Sequence, residues 1–245
     1  MCRFRWKYCL VSICLLSAHT LCAQVTNITR ESNVSLTSHG NLRLFEMKNN
    51  SSMGVFQADT INFGSDDVVV AVSHGEMVRD QLLLLVANQQ FSLQDTELRA
   101  ICRNQNYRFK VLIASPNIHI HNSDITLTSG THVGFCSTMP PQSVIDMSAV
   151  SATAPIFSEG FWGEQISLNT DKPGAGVTVN NNPAFPNVTI SDMRIGENNE
   201  NIPNTGVARG VCLVRDDLTL PLSGEEVSLG NVCLLYTSPS PTRPY

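Results

Sequence analysis

An all-β fold is predicted by three features of this sequence. Past residue 30, apolar side chains recur at every second position, as at Ile118 and Ile120, which places them on one face of an extended strand. The strands are short, and Asn, Gly, Asp, Ser or Pro separate them and favour turns. Charged residues make up only 15% of the chain, so Ser, Thr and Asn supply most of the polar surface. The chain is therefore predominantly β.

Residues 1–23 have the order of a secretory signal peptide. Basic residues come first, an apolar run follows at 8–16, and small and polar residues occupy 17–23. The run is shorter than the roughly 18 residues of a membrane-spanning helix, which favours a cleaved leader over an anchor. We expect cleavage after Cys22 or Ala23, and a secreted, extracellular chain that does not enter the membrane.

Residues 24–52 are expected to form an exposed segment that carries N-glycans. Four Asn-x-Ser/Thr acceptors fall within it and a fifth lies farther along the chain. The acceptors are Asn27, Asn33, Asn49, Asn50 and Asn187. Residues 53–232 are expected to form a single β-rich domain, because a chain of this length can bury one large core.

Four cysteines lie beyond the predicted leader: Cys102, Cys136, Cys212 and Cys233. In an oxidising compartment they suggest two disulfides, for which three connectivities exist. If Cys233 belongs to an artefactual tail, one pair, Cys102 with Cys136, is the safer prediction, and it would contribute on the order of 2 to 4 kcal/mol. The sequence has no Cys-x-x-Cys pair, which argues against a zinc ribbon or a thioredoxin-type site.

Residues 75–103 allow a short helix as an alternative to strands. Phe91 and Leu93 favour strands there, because they alternate again. The strongest apolar run, residues 82–87, is too short to span a bilayer. Five apolar residues have the spacing of a helix face: Met77, Val78, Leu82, Leu85 and Val86.

Residues 110–130 predict three consecutive strands joined by corners of two or three residues. Later segments with the same alternation would add further rungs to one solenoid, in which stacked rungs bury each other's apolar faces. These segments are residues 144–149, 176–180, 187–196 and 206–215.

A family resemblance rests on three patterns in this region. They are Asn-Ile-x-Ile-x-Asn-Ser-x-Ile-Thr at 117–126, Val-Ile-Asp-Met-Ser-Ala at 144–149, and Asn-Val-Thr-Ile-Ser-Asp-Met-Arg-Ile at 187–195. They resemble right-handed parallel β-helix proteins of the pectate-lyase-like and filamentous-haemagglutinin-like kind, over about residues 110–230 and without a fixed-length repeat. The resemblance implies a right-handed parallel β-helix. An antiparallel β-sandwich explains the same alternation and stays the alternative.

His119 and His121 form the most suggestive local pair. Two histidines two residues apart on a strand project from one face and can bind one metal ion, with Asp124 and His132 as candidate further ligands. The neighbouring isoleucines would then face the core. The alternative is the solvated face of a strand, which this composition favours, so we expect neither a metal nor another cofactor.

The resemblance to β-helix polysaccharide enzymes prompts a search for their acidic motifs. Galacturonan hydrolases place Asn-Thr-Asp first, paired Asp second, Gly-His-Gly third and Arg-Ile-Lys last. Here the order is scrambled, Ser73 replaces the first Gly and Gly196 replaces the final Lys. A glycosidase needs two converging carboxylates, so no catalytic residue is predicted. The fragments present are Asp66-Asp67, Ser73-His74-Gly75, Asn169-Thr170-Asp171 and Arg194-Ile195-Gly196.

Other chemistries also lack their motifs. There is no Gly-x-Ser-x-Gly elbow and no glycine-rich phosphate loop. Phe161 and Trp162, between Gly160 and Gly163, are predicted to anchor the core or a turn, and alternatively to stack on a sugar ring. The net charge of −5, with no basic cluster after the leader, argues against nucleic acid and against an anionic membrane surface as partners.

Two function classes remain. The first is a secreted adhesive, structural or ligand-binding β-solenoid without catalytic activity, whose ligand would be an extracellular glycan or protein. The second is a polysaccharide lyase or glycoside hydrolase on the same scaffold, with part of its catalytic residues missing. Fold alone does not choose between them. The absence of an acidic cluster favours the first class.

Residues 233–245 are predicted to be disordered or artefactual. Pro239, Pro241 and Pro244 forbid a helix or a central strand. The segment also resembles translated sequencing-adapter read-through, in which case the native C-terminus is missing and the chain is a fragment.

Overall fold

The computed structural model describes residues 24–104, 106–137, 139, 165–167, 177–179, 187–197 and 210–214. These residues form strands, turns and bends and no helix, which confirms the all-β prediction. No described residue therefore belongs to a helix that could cross a membrane. The fourteen strands are β1 (Gln24–Ser32), β2 (Val34–His39), β3 (Leu42–Met47), β4 (Met53–Phe63), β5 (Val68–Val72), β6 (Gln81–Gln94), β7 (Glu97–Ile101), β8 (Phe109–Ala114), β9 (Ile118–Leu127), β10 (Thr131–Cys136), β11 (Gln165–Ser167), β12 (Val177–Val179), β13 (Val188–Glu197) and β14 (Gly210–Val214).

The helix considered for residues 75–103 is wrong, because β6 and β7 occupy most of that region. Every residue from 82 to 87 is buried, so both sides of this part of β6 are covered. A parallel strand covered on both sides has a continuous apolar run instead of alternation. Because such a run also contains apolar residues at helical spacing, the sequence allowed a helix here.

The strands form one mixed, open sheet that contains three series of parallel pairs. Stack A consists of residues 53–58 of β4, 81–87 of β6, β8, β10 and β14. Stack B consists of residues 60–63 of β4, 90–94 of β6, 118–121 of β9 and 188–191 of β13. Stack C consists of β3, β5, β7, residues 123–127 of β9 and 193–197 of β13.

The strands of stack C are added one after another along the chain at a constant register. Its successive partners along one row are Leu42, Val68, Glu97, Asp124 and Arg194. The stretches of chain that separate each partner from the next are nearly equal in length as far as Asp124. The stretch from Asp124 to Arg194 is more than twice as long. After each of the first four strands of stack C the chain runs through stack A and then stack B, in the same order.

The corner before stack C repeats a backbone conformation as well as a position. One residue there has a positive φ, and it lies two positions ahead of the residue that each strand contributes to the row from Leu42 to Arg194. Gly tolerates this region freely, and Asp and Asn tolerate it better than other residues do. The five residues are Gly40 (φ 54°), Asp66 (71°), Asp95 (53°), Asn122 (42°) and Asp192 (54°).

One apolar core is shared by the three stacks. A chain of phenylalanine rings runs through it: Phe45 to Phe56 at 5.0 Å, Phe45 to Phe63 at 6.2 Å, Phe63 to Phe91 at 6.4 Å, and Phe91 to Phe135 at 6.5 Å between centroids. The first three contacts are edge-to-face, the geometry that the ring quadrupole favours. Burial of each ring contributes about 1.5 to 3 kcal/mol relative to exposure.

The core begins earlier in the chain than expected. β1 pairs antiparallel with β4, and β2 pairs antiparallel with β3. Val34, Phe45 and Met47 are fully buried in the core. Residues 24–52 therefore contribute an end layer to the folded sheet, which differs from the exposed segment predicted for them.

Stack A differs from the other stacks because it is largely buried on both sides. One row of partners in stack A is buried, yet none of its members belongs to the core cluster: Val55, Leu84, Leu112, Gly134 and Cys212. The outer sides of stacks B and C are partly exposed. In the part of each stack that β9 and β13 form, most of the outer residues are polar. A ligand from solution can therefore reach stacks B and C but not the outer side of stack A.

Candidate ligand-binding face

The outer side of stack B carries two rows of polar side chains, which we call the polar ladder. The strand register sets both rows, because residues paired in a parallel sheet lie side by side. Neighbours within a row are about 4.8 Å apart, and the two rows are about 6.6 Å apart along the strands. The first row is Asn62, Ser92, His119 and Thr189, and the second row is Gln94, His121 and Ser191.

Hydrogen bonds within the ladder orient its first row. The Ser92 hydroxyl donates to Asn62 Oδ1 at 2.8 Å, and Gln90 Nε2 donates to the same oxygen at 3.5 Å. His119 and His121 are exposed, whereas Ile118 and Ile120 are buried in the core, as the alternation predicted. The ladder thus presents neutral amides and hydroxyls together with imidazoles to solvent.

The structure does not bring the four candidate metal ligands together. Asp124 lies past the corner, in stack C, where its Oδ1 accepts a hydrogen bond from Arg194 Nε at 2.6 Å. His132 lies in stack A and is buried, and burial lowers its pKa to about 3. In the part of the chain that the structure describes, no three His, Cys, Asp or Glu residues are grouped so that they could hold a metal ion.

A network of charged and amide side chains lies beside the ladder, at the corner between stacks B and C. Asn122 Nδ2 donates to Asp95 Oδ1 at 2.7 Å. Arg194 donates to Asn122 Oδ1 and to Asp192 Oδ2, each at 3.1 Å. The hydrogen bond to Asp124 raises the pKa of Arg194. Sequence reasoning missed this network, although Asp or Asn two residues ahead of a predicted strand was a usable signal.

The acidic pair Asp66-Asp67 has a structural explanation. Asp67 is buried, forms an ion pair with Arg43 at 3.3 Å, and accepts a hydrogen bond at Oδ2 from the Gly64 amide at 3.1 Å. Asp66 is the exposed corner residue. The backbone amide of His74 donates to Gln81 Oε1 at 2.9 Å. Asn169 to Asp171, Gly160 to Gly163, and residues 144–149 lie outside the described residues.

Four predicted glycan acceptors lie at the end of the sheet where β1 and β2 are. Asn27 Nδ2 donates to Asp59 Oδ2 at 2.8 Å, and this bond lowers the pKa of Asp59. Asn33 Nδ2 donates to the Met53 carbonyl at 3.2 Å, and Asn49 Nδ2 donates to Asn33 Oδ1 at 3.1 Å. Glycosylation stays a prediction.

Gln81 fixes the loop that holds two of these acceptors. It is fully buried, and its Nε2 donates to the carbonyls of Asn49 at 2.9 Å and Ser51 at 3.0 Å. The Oδ1 of Asn50, between them, is buried without a hydrogen-bond partner. The fifth acceptor, Asn187, is exposed at a corner, with φ 67°, directly before stack B.

Cys102, Cys136 and Cys212, the three cysteines that the structure describes, are buried thiols. Cys102 Sγ lies 3.2 Å from the Asn104 carbonyl, and burial raises the pKa of this thiol to about 11. Cys136 and Cys212 lie in stack A, outside the core cluster. Cys233, the predicted leader 1–23 and the tail 233–245 lie outside the described residues. The disulfides therefore stay a prediction.

No protein-family model, curated protein or solved structure matches this chain. Its function must therefore be argued from the geometry of the ladder and its surroundings.

Proposed function

We propose that the chain is a secreted right-handed parallel β-helix that binds an extracellular glycan without catalysing a reaction. Three observations support the solenoid: the constant register of stack C, the recurring order of the three stacks, and the repeated positive φ at one corner. Right-handedness follows from the strong preference of parallel crossover connections for that hand. The parallel pairs favour this fold over an antiparallel sandwich, whose neighbouring strands run in opposite directions.

The polar ladder is the observation that carries the binding function. A linear polysaccharide presents hydroxyl groups at regular intervals, and each hydroxyl both donates and accepts hydrogen bonds. Amides, hydroxyls and imidazoles about 4.8 Å apart on neighbouring strands can pair with several of them at once. The rigid strands hold these groups in place before binding, which reduces the entropy lost on association.

Secretion rests on different observations. The predicted leader at residues 1–23 and the five sequons support an extracellular location. An N-glycan at Asn187 would border the ladder, because this residue directly precedes the β13 strand of stack B.

The binding proposal is tested with the secreted protein on a panel of immobilised polysaccharides, with affinity measured by biolayer interferometry. Ser92→Ala and His119→Ala are each expected to weaken binding about fivefold, since one lost hydrogen bond contributes about 1 kcal/mol. Thr126→Ala is the matched control, because Thr126 lies on the outer side of stack C. Failure to bind any glycan, or equal losses in all three variants, would overturn the proposal.

The second candidate is a polysaccharide lyase or glycoside hydrolase. The exposed carboxylate of Asp66, at the corner next to the ladder, is the feature that supports this candidate. Incubation with pectin, alginate or hyaluronan would then release reducing ends or unsaturated products, and Asp66→Asn would abolish them. Asp67→Asn is unsuitable for this test because it removes a buried ion pair with Arg43. Catalytic release of product would contradict the binding-only proposal.

A further inference from the structure

β2 and β3 form a hairpin through the two-residue turn Gly40 and Asn41. The φ of 54° at Gly40 fits glycine at the first central position of a type II′ turn. The amide of Lys48 donates to the carbonyl of Asn33, so every second residue from Asn33 onward is in a hydrogen-bonded pair with β3. The residues between them direct N–H and C=O away from β3, and these are Val34, Leu36 and Ser38.

The outer edge of β2 has no strand beside it in the described part of the chain. β2 ends the strand order and pairs there with β3 alone. Proteins protect such edges with charges, proline or bulges, and β2 has none of these. The neighbouring β1 has two of them, a register shift between Ile28 and Arg30 and the charged side chains of Arg30 and Glu31.

Apolar side chains remain exposed at the same end of the sheet. Ile28 is the register partner of Ala58, a core residue, yet it is 51% exposed. Leu36 packs against the core but is only partly buried, and Leu42 at the hairpin is 39% exposed. The core is therefore incompletely covered where β1 and β2 form its last layer.

We propose that two copies of this chain associate through β2, antiparallel, about a twofold axis at Leu36. Leu36 then faces Leu36 of the second copy, and Val34 faces Ser38 of the second copy. The two free edges complement each other with about six hydrogen bonds. No Asp, Glu, Lys or Arg lies on β2, and His39 would face Asn33 of the second copy, so the pairing opposes no like charges. The facing leucines cover apolar surface that a single copy leaves exposed, in an isologous interface.

Solution mass tests the association. The mature secreted protein is measured by light scattering after gel filtration over a range of concentrations, before and after enzymatic removal of N-glycans. We expect a doubling of the mass at high concentration in at least one of the two forms. Leu36→Lys places two charges opposite each other, and Ser38→Pro removes an edge donor, so both variants should stay monomeric. Thr126→Lys, on stack C, should behave as the unsubstituted chain.

Crosslinking tests the register. In a hydrogen-bonded antiparallel pair the facing Cα atoms are about 5.5 Å apart, within the range that a disulfide spans. Leu36→Cys should therefore yield a covalent dimer on oxidation, whereas Thr126→Cys should not. Thermal unfolding of each variant verifies that it is folded.

Three results overturn the proposal: a monomer at every concentration, a dimer that persists in Leu36→Lys and Ser38→Pro, and a dimer that Leu36→Cys fails to crosslink. Mass spectrometry of the N-terminus tests one further contrary case. A monomer that retains residues 1–23 would indicate that these residues, and not a second copy, cover the edge of β2.

Discussion

At the scale of single residues, Gly54 of β4 shows how closely the end layer packs on stack A. A Cβ atom at this position would lie 2.6 Å from Met47 Sδ and 3.2 Å from the Asn33 carbonyl oxygen. The first distance is far inside van der Waals contact, and the second involves backbone that cannot rotate away. Space, and not backbone conformation, favours glycine here, since its φ is not positive.

Gly54→Ala is therefore expected to lower the free energy of unfolding by about 1 to 3 kcal/mol, the usual cost of overpacking a core. Urea unfolding followed by circular dichroism measures this loss. Gly196→Ala is the matched control, because its Cβ would meet Thr126 Cγ2 at an ordinary 3.6 Å. Equal losses in the two variants would contradict the packing explanation.

His132 is expected to make the fold sensitive to acid. Burial lowers its pKa from 6.5 to about 3, and the positive charges of Lys110 and Arg108 contribute to this shift. Between these two pH values the unfolded chain binds a proton that the folded chain does not, so stability falls as the pH drops through this window. His132→Gln should flatten the pH dependence of the unfolding free energy there, whereas Ser92→Ala, which removes no titratable group, should leave it unchanged. An unchanged slope in His132→Gln would refute this assignment.

At the scale of elements, the residue types at the corner before stack C match the backbone conformation that the corner requires. Its five stacked residues are Gly, Asp or Asn, and all have positive φ. Asp66 is the best probe, because it is exposed and has the largest φ of the five, 71°.

Asp66→Val is expected to cost about 1 to 2 kcal/mol, because a β-branched side chain clashes with the backbone in the left-handed region. Asp66→Gly should stay within about 0.5 kcal/mol of the unsubstituted protein. Thermal denaturation of the pair separates the two cases. If valine and glycine were equally tolerated, the corner geometry would be wrong.

Part of the fold was predictable from alternation, and part was not. Ile118, Ile120, Ile125 and Leu127 alternate along the half-exposed β9 and all lie in the core. The run 82–87 gave no alternation because stack A is covered on both sides. Sequence periodicity reports how many sides of a strand are buried, so it identifies a half-exposed strand and fails for a fully buried one.

The candidate site was predictable only in part, for a different reason. The exposure of His119 and His121 followed from their spacing. Their neighbours in the ladder did not, because Ser92 and Thr189 come from strands far from His119 in the sequence, at unequal separations on its two sides. Without a fixed-length repeat, nothing in the sequence indicates which strands become adjacent.

At the scale of the whole molecule, stack A separates two buried layers that both contain cysteine. Cys102 belongs to the core cluster, whereas Cys136 and Cys212 lie outside it. All three are thiols in this structure.

We expect these three thiols to resist alkylation in the native protein and to react after denaturation. Burial protects all three, and the raised pKa of Cys102 also lowers its thiolate fraction. Peptide mapping after differential alkylation measures each site, with Thr126→Cys as a partly exposed thiol that should react in the native protein. Recovery of Cys102 and Cys136 in one linked peptide would instead establish the disulfide predicted from the sequence.

The spacing between paired strands also has a consequence for how the chain folds during synthesis. Successive partners along stack C are separated by short and nearly equal stretches of chain through β9, so each new turn can pair with the one before it soon after it leaves the ribosome or the translocation pore. The step from Asp124 to Arg194 is much longer and interrupts this order. Closing a long loop is slower. The open edge of β9 must therefore wait for its partner, which leaves it exposed to wrong pairing while the chain grows.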